Sequence, residues 1–217
     1  MCRFDLTDEK AETVFFVLGM LDEYLGRRIV EDEDLVEGFY CSEAETARLF
    51  RRTLDRLAKE QSLDATIREE TIQECLPVYH SKAIADRLNS CYRYRASNGQ
   101  LVQGADGTSR RTASASLEMG LFMHSGHGAA TERGWPDEVF YRRRALAYVS
   151  GAWHRNGRGG DFVFANSKDK ANLVAQLLVA LGCHGVRLES DFGLIPQTNI
   201  VHFTPTDEVT AWLHKSW

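Results

Sequence analysis

No run of about twenty consecutive apolar residues occurs anywhere in the 217-residue chain, so it offers no segment able to span a bilayer. Zinc-finger spacing is missing too. The five cysteines, Cys2, Cys41, Cys75, Cys91 and Cys183, are odd in number, scattered and never in a Cys-x-x-Cys pair. They point to reduced thiols in a cytoplasmic or organelle-matrix compartment rather than to a disulfide framework. The opening, MCRFDLTDEK, is too acidic for a signal or transit peptide. There is no excess of basic charge: the formal net charge is -5. Residues 1–91 carry 12 basic and 20 acidic side chains, residues 92–145 carry 8 and 5, and residues 146–217 carry 6 and 6. A strongly basic, phosphate-coating protein is thereby excluded, and any nucleic-acid contact needs arginines gathered locally on one surface. The candidates are Arg27, Arg28, Arg93, Arg95, Arg155 and Arg158. With 43% hydrophobic and 26% charged residues the chain has the composition of a folded globular protein, not a disordered one.

Two stretches organise the rest. Val14 to Tyr24 reads VFFVLGMLDEY, and Leu146 to Asn156 reads LAYVSGAWHRN, each with a glycine at its sixth position. A glycine inside an apolar helix costs about 1 kcal/mol relative to alanine, so Gly19 and Gly151 mark places where something packs too closely for a side chain. Two helices crossing at those glycines supply the reason. The candidate arginines flank these helices or lie between them.

The segments after the two helices are also alike. GFYCSEAETARLFRRTLDRL (residues 38–57) lies without gaps over FVFANSKDKANLVAQLLVAL (residues 162–181), matching Tyr40 with Phe164, Ala47 with Ala171, Leu54 with Leu178 and Leu57 with Leu181. A short strand leads through a polar turn into an amphipathic helix in both cases. More strand sequence comes at residues 63–80 and 185–203, and each unit closes on a short helix, KAIADRL or TDEVTAWL. In the first unit Ser42 and Glu45 have capping-box spacing. Arg48, Arg51, Arg52 and Arg56 fall on the solvated face of its helix. The order helix, strand, helix, strands, helix occurs twice. The expected organisation is a first repeat at 1–91, an insertion or linker at 92–139 and a second repeat at 140–217.

The insertion carries a hairpin signal, YRYRASNGQLVQG, and then LFMHSGHGA (residues 121–129). That second motif resembles the histidine motif of metacaspase-type cysteine proteases, which would make His127 a base and Cys183 its nucleophile in a Cys/His hydrolase. Alternatively His124 and His127, with Cys183 or His184, would form a metal site.

Two copies of this arrangement, packed through apolar helices at a glycine, resemble the LAGLIDADG fold of homing endonucleases and their non-cutting relatives. The resemblance implies an α+β protein made of two pseudo-symmetric αββαββα-type repeats around a central helix pair, with antiparallel sheets forming a saddle over nucleic acid. It also implies that the eighth position of each motif holds an acid that binds a divalent metal. Carried onto this chain, those positions are Tyr24 and Asn156, and neither is a carboxylate. Only Asp22 and Glu23 lie nearby. The expectation is therefore a non-catalytic DNA- or RNA-binding protein without a cofactor. An active metal-dependent endonuclease would use magnesium with Asp22 or Glu23. A protein-interaction scaffold is the remaining alternative, with a protein in place of the nucleic-acid partner. The second motif leaves only eleven residues between Gly151 and Val163, against nineteen between Gly19 and Phe39, too few for a full first hairpin.

Overall fold

The computed structural model describes residues 10–23, 27–28, 34–72, 76–95, 101–102, 114–117, 139–191 and 197–217. In order these form α1 (Lys10–Met20), β1 (Arg27–Arg28), β2 (Leu35–Gly38), α2 (Ala44–Glu60), β3 (Arg68–Ile72), β4 (Leu76–His80) and α3 (Lys82–Asn89). The short strands β5 (Arg93–Arg95), β6 (Leu101–Val102) and β7 (Ser114–Ser116) come next. The second half has α4 (Val139–Asn156), β8 (Gly157–Arg158), β9 (Asp161–Ala165), α5 (Lys168–Ala180), β10 (His184–Asp191), β11 (Thr198–Thr204) and α6 (Asp207–Leu213). This is the α+β architecture expected, with antiparallel pairing throughout the described strands.

The halves share a strand order. The first sheet runs β2-β4-β3, and the second runs β8-β9-β11-β10, so β2, β3 and β4 correspond to β9, β10 and β11. Each sheet turns one face to its helices. In the first, Tyr79 packs with Phe39 and Phe50 beneath α2 and donates its hydroxyl to the Ala47 carbonyl at 3.0 Å. In the second, Phe162, Phe164 and Val201 are buried with Trp153 and Phe203 around them. Full burial of such side chains contributes about 1.5–3 kcal/mol each, which is what holds sheet to helix.

The first strand of each half behaves differently. Gly159 and Gly160, both at positive φ, turn β8 back onto β9, so the second half does form its leading hairpin within the few residues available. Two glycines make this feasible, because the left-handed backbone costs them nothing. In the first half, β1 instead pairs with β7, building a third sheet in the order β1-β7-β5-β6 from strands on both sides of the 91/92 boundary.

Three local expectations change. Helix α1 ends at Met20, four residues before Tyr24. The cap ahead of α2 uses Glu43, whose carboxylate accepts the Tyr40 N–H at 2.8 Å, rather than Glu45, which pairs with exposed Arg48. Cys41 is disulfide-bonded, so the chain does not carry five reduced thiols; Cys91 and Cys183 are thiols outside any disulfide. Helix α5 obeys its sequence signals, starting after Ser167 and stopping before Gly182 at φ 84°, a left-handed C-terminal stop.

Candidate functional site

Helices α1 and α4 cross backbone to backbone. A Cβ placed on Gly19 would lie 2.1 Å from the Tyr148 carbonyl oxygen, and one on Gly151 would lie 2.0 Å from that of Phe16. No side chain fits at either place. The glycines thus let the two helices approach along their full apolar faces, and Phe15, Phe16, Val17, Leu18, Ala145, Tyr148 and Ala152 have essentially no exposure.

This crossing sets the C-terminal end of α1 against the second half. A helix C-terminus presents unpaired carbonyls and the negative end of the helix dipole. Two cations of the second half meet it. Lys170 Nζ donates to the Gly19 carbonyl at 2.7 Å and the Leu21 carbonyl at 2.5 Å. Arg155 donates to the Met20 carbonyl at 2.9 Å and the Gly38 carbonyl at 3.0 Å. The backbone N–H of Asp22 turns away to the Glu37 carboxylate at 2.6 Å. These contacts explain why α1 stops early: the groups that would continue its ladder are already taken.

Carboxylates surround the cations. Arg155 Nε lies 3.1 Å from Glu43 and its Nη1 lies 3.4 Å from Glu37. The guanidinium also sits over the Phe39 ring at 4.4 Å. Buried Glu23 accepts the Tyr92 hydroxyl at 2.9 Å. Burial works against the Arg155 charge, but Glu37, Glu43 and Asp22 outweigh it and hold the proton more tightly than usual. Burial pulls the Lys170 ammonium down to about 8, with Glu23 the strongest opposing influence and Arg155 adding to the fall.

The topology makes Lys170 part of a correspondence. Position 46 of α2 overlies position 170 of α5, and Thr46 Oγ1 lies 3.4 Å from the His154 carbonyl near the end of α4. Each half thus sends one side chain to the other half's leading helix. In one direction it is a hydroxyl, and in the other an ammonium.

A divalent metal of the kind the fold implies does not fit this arrangement. Magnesium and calcium take oxygen ligands at about 2.0–2.6 Å. The carbonyls of Gly19, Met20 and Leu21 already accept from nitrogen cations, so an added ion would meet both crowding and like charge. Asn156, the eighth position of the second motif, donates its amide back to the Ala152 carbonyl at 3.3 Å. Tyr24 lies outside the described residues. Among the described residues, no group of three His, Cys, Asp or Glu side chains is arranged to hold a metal ion.

The sequence-derived arginines separate into three groups. Arg155 is the correction: its side chain is only 4% exposed and is consumed by carbonyls and carboxylates of the first half, so it faces no external partner. Arg158 is exposed beside the β8–β9 turn. Arg27, Arg28, Arg93 and Arg95 come together on β1 and β5, the two strands flanking β7. Of the hydrolase pair, Cys183 is 8% exposed and burial pushes its thiol up, away from a reactive thiolate. His127 and His124 lie outside the described residues.

Sequence reasoning missed Lys170, Glu37 and Glu43. One signal was available. Lys170, Leu173, Val174 and Leu177 fall on one helical stripe, and a lysine on an apolar stripe needs a buried partner.

The outer faces of the sheets β2-β4-β3 and β8-β9-β11-β10 carry acids among their bases, with Arg158 opposite Asp161 on the second. By strand alternation Asp161, Val163, Ile200, His202, Arg187, Glu189 and Asp191 share the outer face of the second sheet. His202 stands 2.9 Å from Asp161 and 3.3 Å from Glu189. His80 occupies the corresponding central strand of the first sheet, 3.0 Å from Asp34 and 3.8 Å from Glu70. Arg68 there also pairs with Asp34, and with His80 it holds that carboxyl below the usual range.

Paired glycine-seamed helices and two sheets of like order define a LAGLIDADG homing-endonuclease fold. Solved structures carry the comparison. The chain superimposes on mesophilic variants of the homing endonuclease I-DmoI with a TM-score of 0.58 at 12% identity, covering 96% of this chain and 99% of that one. A point variant of I-DmoI in complex with its target DNA and manganese gives 0.58 at 12% identity, covering 96% and 97%. I-DmoI in complex with DNA and calcium gives 0.54 at 12% identity, covering 94% and 88%. No family model and no curated protein matches the sequence. Among the described residues no helix is long and apolar enough to cross a membrane.

Proposed function

We propose that this chain is a non-cleaving DNA-binding protein on the LAGLIDADG fold. The observation that carries the loss of cleavage is the pair of nitrogen cations, Lys170 and Arg155, on the carbonyls at the end of α1. Metal-assisted phosphodiester hydrolysis needs anionic oxygens free to hold the ion, and here Glu37 and Glu43 are engaged by Arg155 and Glu23 accepts the Tyr92 hydroxyl. The similar I-DmoI structures that contain DNA support a nucleic-acid partner, and duplex DNA over RNA. The proposed contacts are Arg27, Arg28, Arg93, Arg95 and Arg158.

Two assays test this on the full chain. Binding to a fluorescent duplex, followed by anisotropy, is expected to weaken steeply with salt. Supercoiled plasmid with magnesium or manganese is expected to stay intact. Nicking that disappears in an Asp22→Asn, Glu23→Gln variant would overturn the loss of cleavage. One observation favours a second reading, the protein-interaction scaffold: the repeat sheets turn Asp161, Glu189, Asp191 and Glu70 outward where phosphates would lie. Indifference to both heparin and duplex DNA would select it.

A further inference from the structure

We infer that nucleic-acid binding by this chain is coupled to proton uptake at His80 and His202, one on the outer face of each of the sheets β2-β4-β3 and β8-β9-β11-β10. The inference rests on the proposed DNA binding and adds what regulates it.

The same set of side chains occurs twice. His80 ends β4 and His202 lies on β11, the strands that correspond between the halves. Each stands directly across from an arginine of the neighbouring edge strand, Arg68 on β3 and Arg187 on β10, and two residues further along those strands come Glu70 and Glu189. An aspartate closes each set from the other side. Asp161 lies 2.9 Å from His202 Nδ1, and Glu189 lies 3.3 Å from its Nε2. Asp34 lies 3.0 Å from His80 Nδ1, and Glu70 lies 3.8 Å from its Nε2. Among the described residues of these strands, the other charged or titratable groups on the same faces are Arg158 across from Asp161, His184 across from Thr204, and Asp191.

Donor chemistry gives the sets their meaning. A neutral imidazole has one N–H, so it donates to one carboxylate and turns a lone pair towards the other, whereas an imidazolium donates from both nitrogens. A carboxylate on each side of the ring therefore fits the charged form, and His80 Nε2, buried without a hydrogen-bond partner, is a second donor held ready towards Glu70. Histidine is the side chain whose charge changes between pH 5 and 8. The first face sets Arg68 against Asp34 and Glu70, and the second sets Arg158 and Arg187 against Asp161, Glu189 and Asp191. With neutral histidines each face is thus one charge negative, and one proton at His80 or His202 cancels it. A phosphate backbone is repelled by the first state and not by the second. By linkage, binding draws protons and acid tightens binding.

The test follows a fluorescent duplex by anisotropy with the full chain at pH 5.5 and 7.5 and fixed ionic strength. The upper limit stays below the value of about 8 at Lys170. The native chain is expected to bind at least about tenfold more tightly at pH 5.5, the scale of two added charges on a polyanion. Calorimetry at pH 6.5 in two buffers of unlike ionisation enthalpy is expected to show proton uptake on binding. His80→Gln with His202→Gln loses most of the gain. His80→Arg with His202→Arg binds tightly at both pH values, which guards against misfolding of the glutamine variant. His214→Gln, at the end of α6, keeps the native response. Binding by the native chain that ignores pH, a full response in the glutamine or arginine variant, or a response lost in His214→Gln would each overturn the coupling while leaving a nucleic-acid partner in place. Failure of the native chain to bind the duplex at either pH would withdraw the underlying reading itself.

Discussion

A lysine ammonium inside a protein persists only where its charge and its three donors are met, and Lys170 meets two carbonyls of a helix end with acids close by. Its ordinary value in an unfolded chain is about 10.4, so a folded value of about 8 means that the unfolded state holds the extra proton between those limits. Stability contributed at this residue therefore rises as pH climbs from about 8 towards 10, and is lost as pH falls back to the folded value. The neutral amine still carries two hydrogens for the two carbonyls. The expected result is that the unfolding free energy of the native chain gains on that of Lys170→Met between pH 7.5 and about 9.5 in urea titrations. A constant difference over that interval would contradict it. The interval stops short of the tyrosines because burial pushes Tyr79 up to about 12, and above pH 10 the unfolded chain alone would ionise. Lys170→Met should also be less stable at neutral pH by about 1–3 kcal/mol for each carbonyl left without a donor.

The helix pair gives the opposite of the usual rule for glycine. In an open helix Gly→Ala stabilises by about 1 kcal/mol. At Gly19 or Gly151 the new methyl would stand about 2 Å from a backbone oxygen of the partner helix, which cannot rotate away. Each single substitution is expected to cost about 3 kcal/mol or more by chemical denaturation, and a neutral or stabilising result would show that the helices are not held in this crossing. The crossing was legible in the sequence because little besides close backbone packing keeps a glycine inside an apolar helix. So were the amphipathic α2 and α5, whose apolar spacing is local. The end of α1 was not, because its residues Leu21 to Glu23 continue the helical pattern and only partners more than a hundred residues away, Lys170 and Arg155, interrupt it. The pairing of β1 with β7 was hidden for a similar reason: strands of two and three residues carry too little periodicity to announce a neighbour about ninety positions distant. Arg155 misled for a further reason. Its surroundings in sequence, HRNGRGG, read as a basic turn, whereas its cavity is made by Glu37, Glu43 and Phe39 of the other half.

Taken whole, the molecule distributes its charge unlike a uniform nucleic-acid clamp. Acids and arginines share the outward faces of the sheets β2-β4-β3 and β8-β9-β11-β10, four arginine positions fall on the strands of the third, and two further cations are locked inside at the end of α1. On the proposed non-cleaving reading, those two oppose the binding of a metal that could support cutting. Installing aspartate at Tyr24 and Asn156 restores the acids of the motif, yet the carbonyls at the end of α1 would still be held by Lys170 and Arg155, whose charge repels a divalent ion. Such a double variant is expected to leave plasmid uncut with magnesium, as judged by the supercoiled fraction on a gel. Removing the two cations first strips the end of α1 of its donors and leaves Glu37 and Glu43 without a counter-charge, a change of the size that unfolds small proteins, about 3–5 kcal/mol for a broken buried pair. On the proposed non-cleaving reading the steps towards cutting are each harmful taken singly, so the chain sits behind a ratchet: cutting would demand several coordinated replacements at once.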